Sequence, residues 1–314
     1  MGDVTADRNK EPSSRSTVVG ESVRPLRVGV AGVGKVGLVR LAEIRKYPEL
    51  ELAALCDIDP ARALEAPGVP FFTDVDEFEE QELDVVFVCV YNNAAPLIVE
   101  RALRLGRHVF CEKPPGRCVE DVERIIAAER DNPGTNLKFG FNHRYHYAVR
   151  EAKALIDSGR YGKVLWARGV YGKCGGIEFQ NSWRNDSETA GGGILLDQGI
   201  HMVDLLRVFC GEFSGIQSVV TTSFWDIPVE DNAFAILTGD EGRVALLHSS
   251  ATQWKHRFSL ELCLEGGYVN INGILSSTRS YGQESITFAR RQFEDETFAF
   301  GNPREETVFF DRDD

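Results

Sequence analysis

A chain of 314 residues, 43% of them hydrophobic, is long enough for two domains with cores of their own. Its formal charge of −13 argues against a non-specific nucleic-acid binder, which needs a basic surface. No apolar run reaches the roughly 20 residues of a membrane span, so no membrane partner is expected. The first residues are polar and lack the apolar stretch of a secretory signal, and residues 1–24 read as a disordered arm. Seven cysteines, an odd number without a C-x-x-C, read as buried free thiols of a reducing compartment, and the expected location is cytoplasmic.

The strongest local pattern spans residues 27–57. An apolar run, Val28-Gly29-Val30-Ala31, leads into Gly32-Val33-Gly34-Lys35-Val36-Gly37. A helix is predicted over 35–46, with Val36, Val39, Leu41 and Ile44 on its buried side. A second strand follows over 52–55, with Asp57 and Ile58 at its end. Strand, glycine turn, helix, strand and acid together describe a dinucleotide-binding unit. In it Gly32 permits the turn, Gly34 lets a pyrophosphate approach, and Gly37 lets helix and strand pack. An ordinary β–α turn without ligand is the competing reading. A carboxylate at Asp57 suits a ribose 2′-OH and repels a 2′-phosphate, so NAD is preferred over NADP. Arg62 is close enough in sequence to soften that preference.

Strands and helices then alternate to about residue 141: strands over 69–72, 84–90, 107–111 and 137–141, helices over 97–105 and 119–130. Alternation implies a parallel sheet covered on both faces, an α/β Rossmann domain over 25–141. Ligands of such sheets sit beyond the carboxyl ends of the strands, which places Val90 and the Tyr91-Asn92-Asn93 that follows it on the cofactor side, with a plain loop as the alternative; the strand over 107–111 runs straight into Glu112 and Lys113. From 142 to 314 the pattern changes. One helix (147–158) precedes strand-like runs over 164–171, 216–225, 232–238, 244–252, 258–264 and 268–271, with few helices between them. This predicts an α+β domain with a large, mainly antiparallel open sheet for substrate binding and oligomerisation.

Two stretches carry chemistry. Asp197, His201 and Asp204 are spaced i, i+4 and i+7, which on a helix gives one face. Carboxylates beside an imidazole would orient it and raise its pKa, suiting proton exchange with a substrate hydroxyl. A satisfied core histidine bonded to Asp204, or a metal-binding face, are the alternatives; no other tight ligand cluster completes a metal site, so none is expected. Lys113 stands between a buried strand and two prolines and can donate to a substrate oxygen, although a lysine read alone is more often a surface residue.

These motifs together resemble the glucose–fructose oxidoreductase / inositol dehydrogenase / MocA family, from about residue 27 onward. The resemblance implies that Lys113 sits near the reacting hydroxyl, that His201 is the general acid/base, and that Asp197 binds and orients the substrate. It also implies that Glu112 and Asn92 lie near the nicotinamide ribose and that Arg144, Trp183 and Arg184 face the substrate. The sequence departs from the family where Tyr91-Asn92-Asn93-Ala94-Ala95 lacks a histidine found in relatives, and relatives usually continue with a further helix after a strand equivalent to 307–310.

The sequence therefore predicts an NAD-dependent oxidoreductase, with NADP as the alternative cofactor, acting on CH–OH groups of a sugar, polyol or sugar derivative. A sugar-nucleotide dehydrogenase or ketoreductase is the rival within the class, and a non-catalytic dinucleotide-binding regulator the rival outside it. The open sheet face predicts a homodimer or homotetramer, with the strand over 232–238 pairing to a second subunit.

Overall fold

The structure, a computed structural model, describes residues 24–276, 278–292 and 303–311. The predicted arm over 1–23 lies outside the described residues, while Arg24, expected to belong to it, is held by Asp84 through two hydrogen bonds of 2.7 and 2.8 Å.

The first half is built from β1 (Leu26–Ala31), α1 (Lys35–Ile44), β2 (Leu50–Cys56), β3 (Phe71–Phe72), α2 (Val75–Glu79), β4 (Val85–Val88), α3 (Ala95–Arg104), β5 (His108–Cys111), α4 (Val119–Asp131) and β6 (Leu137–Phe139). The six strands form a parallel sheet in the order β3-β2-β1-β4-β5-β6. Strand order reverses between β1 and β4, the point of an open α/β sheet where ligands sit beyond the carboxyl ends of the strands. The inner face of α1 is Gly37, Leu41 and Ile44, while Val36 and Val39 are exposed. The two valines were expected inside. Gly37 takes the inward position instead, because only a residue without Cβ fits against the β1 turn. α3 is the more regular amphipathic helix: Ile98, Val99, Ala102 and Leu103 face the sheet, and Gly106 at φ +76° follows its end.

The second half contains α5 (Tyr147–Asp157), β7 (Val164–Gly172), α6 (Ser187–Ala190), α7 (Ile200–Cys210), β8 (Phe213–Thr221), β9 (Asn232–Gly239), β10 (Val244–Ser250), β11 (Arg257–Leu264), β12 (Gly267–Asn272), β13 (Glu284–Arg290) and β14 (Glu306–Phe310). Eight strands run in the order β14-β13-β12-β11-β7-β10-β9-β8, all pairs antiparallel except β10 with β7. The strand over 284–290 carries no signal that separated it from the preceding turn-rich stretch, and it was not expected. One face is covered by α5 and α7, whose Ala148, Val149, Ala152, Met202, Leu205 and Leu206 join Ala167, Leu247, Leu260 and Leu262 in one core. α7 crosses β7 so closely that a Cβ on Gly169 would lie 2.5 Å from Met202.

Among the described residues no helix covers the opposite face. Side chains alternate along each strand, so residues in register share a face. Val219, Phe234, His248, Val170, Ser259, Asn272, Ser285 and Phe309 thus form one row across all eight strands. β9 lies between β8 and β10 and has no free edge, which corrects the expected strand pairing of 232–238 with a second subunit. All seven cysteines are free, but only Cys56, Cys111 and Cys210 are buried, fewer than expected, and Cys118 is exposed. No helix among the described residues is long and apolar enough to cross a membrane.

Candidate active site

The turn after β1 is shaped by what it must avoid. Gly32 has φ +89°, and a Cβ there would sit 2.4 Å from the carbonyl oxygen of Cys89. On Gly37 a Cβ would lie 2.0 Å from the carbonyl oxygen of Gly32. Gly34 is different, because nothing lies within 4 Å of its Cβ position. Gly34 also caps α1 without a side-chain hydrogen bond, so the first-turn N–H groups at Lys35, Val36 and Gly37 are left for a ligand. Two tight glycines and one facing open space fit a dinucleotide pyrophosphate. Asp57 Oδ2 accepts the Val33 N–H at 2.7 Å and Oδ1 accepts the Asp59 N–H at 3.0 Å, so the acid also fixes the turn. Ile58 is exposed. Arg62 is directed to Asp59 and Glu65 of its own turn, at 3.4 and 3.5 Å.

Adjacent strand ends continue the site. Beyond β4, Val90 packs against the core, Tyr91 is exposed, and the buried Asn92 donates to the carbonyl oxygen of Ala190 at 2.9 Å. Tyr91 lies 4.8 Å from the ring of Trp183, which also carries the Arg184 guanidinium 4.5 Å above it. Asn92 and the Tyr91–Trp183 contact therefore join the two halves of the chain. Glu112, beyond β5, is held by Arg40 of α1 through an Nε hydrogen bond of 2.7 Å. Arg40 had no signal in the sequence; its role appears only once α1 is packed on the sheet and the guanidinium reaches over the Phe110 ring of β5, at 4.9 Å.

Lys113 is the next residue. Its Nζ donates to the backbone oxygen of Asp197 at 2.5 Å and stands 3.5 Å from Oδ1. Lys173 Nζ binds Oδ2 of the same carboxylate at 2.8 Å, and Arg184 Nε stands 3.3 Å from Oδ1. Asp197 is thus the hub of three cations from three separate segments. Burial alone would raise its pKa, but Lys173, Lys113 and Arg184 together hold it well below the ordinary carboxylate range. Burial lowers the pKa of Lys113, with the Asp197 charge opposing. Lys173 was absent from the sequence expectations because a single lysine after a strand carries no pattern.

His201 corrects the helix-face reading. Residues 195–199 form a π turn (Leu195–Gly199) ahead of α7, and its i→i+5 bonding shifts the register that a regular helix would keep. Asp197 turns to its cations, while Asp204 pairs with Arg144, whose Nε donates at 2.7 Å and whose second nitrogen also bonds Asp204. His201 makes no hydrogen bond among the described residues, and its Nδ1 is buried without a partner. Its pKa is pulled down to about 3, first by burial, then by the Lys113 charge, against the opposing pull of Asp197. The expected rise is overturned, and the ring is neutral at physiological pH. Arg144, expected to face the substrate, is engaged in a structural ion pair. Among the described residues no group of three or more His, Cys, Asp or Glu could hold a metal.

The ring plane of His201 is set by His143, stacked at 3.8 Å and 16°. His143 is fixed in turn by Asn142 Oδ1 and the Tyr171 hydroxyl, each at 3.1 Å. Burial keeps His143 neutral too, its pKa well below the usual histidine value. Two neutral rings can stack where two imidazolium ions would repel.

Comparison with known proteins now places this architecture. Residues 26–139 match the model described as "Oxidoreductase family, NAD-binding Rossmann fold", and 149–270 match the "GFO/IDH/MocA C-terminal domain". The chain belongs to the GFO/IDH/MocA oxidoreductase family. Among curated family relatives, levoglucosan dehydrogenase of Pseudarthrobacter phenanthrenivorans is 30% identical over 169 residues, covering 52% of this chain and 43% of that protein. Inositol 2-dehydrogenase of Salmonella typhimurium is 30% identical over 153 residues, covering 46% and 45%. The chain thus spans less than half the length of either relative. In fold it is similar to a levoglucosan dehydrogenase solved with NADH, with TM-score 0.78 and 22% identity over 91% of this chain and 80% of that one. It is also similar to the WlbA dehydrogenase of Bordetella pertussis, solved with NADH and UDP-GlcNAcA, with TM-score 0.74 and 23% identity over 81% and 77%.

Proposed function

We propose that the chain transfers a hydride between a nicotinamide cofactor, NAD by preference, and a secondary alcohol or ketone of a sugar, polyol or sugar derivative. One observation carries this reading: Lys113 and Asp197, with His201 close enough to feel both charges, meet beyond the carboxyl end of β5, in the same sheet as β1 and its Gly32 turn. The cofactor would be held by residues 32–37, Asp57 and the β4 end, and when bound it supplies the hydride chemistry. Lys113 is oriented by the Asp197 backbone oxygen and can donate to the reacting oxygen, stabilising the negative charge that develops as the proton leaves. His201, being neutral, can accept that proton, and its stacked ring needs no reorientation to do so. Lys173 holds the Asp197 carboxylate in place.

The NADH absorbance band, followed with a panel of polyols and sugars and both cofactors, tests the proposal. Formation of NADH with at least one class supports it; tight NADH binding without turnover on any would favour a non-catalytic dinucleotide sensor. The Trp183–Arg184 pair, half-buried beside Tyr91, favours one second reading, a sugar-nucleotide substrate whose base or diphosphate lies against it. UDP-linked sugars belong in the same panel.

The uncovered sheet face suggests a homodimer or homotetramer. Val219, Phe234, Ile236, Leu246 and Phe309 are exposed together on it, and burying them calls for face-to-face packing rather than edge pairing. Light scattering at micromolar concentration should give a mass above the 34.9 kDa of one chain; a monomeric mass would remove this proposal.

A further inference from the structure

The Asp197 hub is unbalanced in charge. Lys113, Lys173 and Arg184 bring three cations to a single carboxylate, and all three share its two oxygens or its backbone oxygen. Neighbouring acids do not correct this, because each is already committed. Glu112 is held by Arg40 and Asp204 by Arg144; Glu230 keeps its charge but is turned to the N–H groups of Gly193 and Leu195, at 2.8 and 2.9 Å. The nearby rings His143 and His201 are neutral and add no negative charge. In a chain of net charge −13 this is a local positive excess, at a place where solvent does little to screen it.

Arg184 shows how the excess can be used. Its Nε approaches Asp197 Oδ1 to 3.3 Å, and its guanidinium carbon lies 4.5 Å over the Trp183 ring. Its two terminal nitrogens bond no other residue among the described ones, and the side chain is 43% exposed. Lys173, in contrast, is 16% exposed, bonded to Asp197 Oδ2 at 2.8 Å and seated 5.3 Å over the Phe179 ring. A guanidinium seated over an aromatic ring, its terminal pair making no hydrogen bond among the described residues, can make two-pronged contact with an oxyanion.

We infer that the substrate of this site carries an anionic group, a carboxylate or a phosphate on a polyhydroxy frame, and that Arg184 selects for it. The inference rests on the dehydrogenase reading for the polyhydroxy frame, and on the charge balance and the Arg184 geometry for the anion. Arg184 acts on specificity: the anion it holds places the reacting hydroxyl toward Lys113 and His201.

The test is calorimetric titration of the NADH-loaded protein with D-glucose, D-gluconate, D-glucuronate and D-glucose 6-phosphate, at low and high salt. At low salt at least one charged sugar should bind about tenfold or more tightly than glucose, as one charge-assisted contact can give. That advantage should shrink as salt screens it. The carboxylate and phosphate arms identify which anion fits. In Arg184→Gln the ratio of charged to neutral affinity should collapse toward one, whatever happens to the absolute values. Equal binding of charged and neutral sugars by the natural protein, or a variant that weakens both equally, overturns the inference. Charged sugars that bind but are never oxidised would leave it standing and count against the dehydrogenase reading; oxidation of neutral polyols without any advantage for the charged ones does the reverse.

Discussion

The Gly32–Gly37 turn and the Asp197 hub solve opposite problems. The turn is local: six consecutive residues, two of them glycines against which backbone packs, shape a cradle whose polar groups are backbone N–H. The hub is non-local: its side chains come from the β5 end, the β7 end, the 183–185 turn and the π turn before α7. Its polarity comes from side-chain charge. The first can be altered one atom at a time without loss of charge balance, whereas in the second every change leaves a buried charge with a different partner.

The largest expected effect is in the second region. His201→Ala should lower turnover by on the order of 10²–10⁴ while NADH still binds, read by steady-state kinetics beside fluorescence titration. Near-normal turnover would remove the proton-handling role. Asp197→Asn should come next, and it reads out as stability. Removing the charge shared by three cations should cost on the order of 3–5 kcal/mol at neutral pH, measured by denaturant unfolding. The sign with pH is fixed: a carboxyl whose folded pKa is depressed stabilises above its unfolded value near 3.9 and loses that contribution as pH falls toward its folded value. The difference between natural protein and variant should therefore shrink below about pH 4; a gap constant with pH would mean that ion pairing is not what the asparagine removed.

The cradle gives a sharper contrast with smaller effects. Gly37→Ala would place Cβ 2.0 Å from a backbone oxygen, and about 1–3 kcal/mol of stability should be lost along with cofactor affinity. Gly34→Ala meets nothing within 4 Å, so stability should hold within about 0.5 kcal/mol while NADH affinity falls. Paired thermal melts and NADH titrations separate the two, and equal destabilisation by both would mean that Gly34 does not face the ligand. The smallest effect concerns pH. With His201 near 3, the turnover profile should show no acid-side inflection near 6.5 from this residue. An inflection there that disappears in a His201 variant would contradict the neutral-ring account.

How much of this was legible follows from the same contrast. The cradle, Asp57 and the parallel sheet were readable because their constraints act within one β–α–β unit, where spacing and residue type are enough. Lys113, Asp197 and His201 were visible through motif resemblance, but their partners were not. Helical spacing joined His201 to Asp197 and Asp204, but Asp197 sits in the π turn and is held by its cations, and Arg144 takes Asp204. Lys173 and Arg40 acquire roles only when β7 and α1 are packed beside other strands, and nothing local marks them. Arg144 was placed toward the substrate by the same motif neighbourhood, yet Asp204 of α7 takes it.

The most direct measurement of the central claim is a crystal structure of the protein with NADH and a substrate. In that structure the pyrophosphate should lie on the bare backbone of Gly34, and the reacting oxygen within hydrogen-bond reach, about 2.6–3.2 Å, of both Lys113 Nζ and the His201 ring. A cofactor bound outside the Gly32–Gly37 turn, or a substrate oxygen that meets neither side chain, would contradict it.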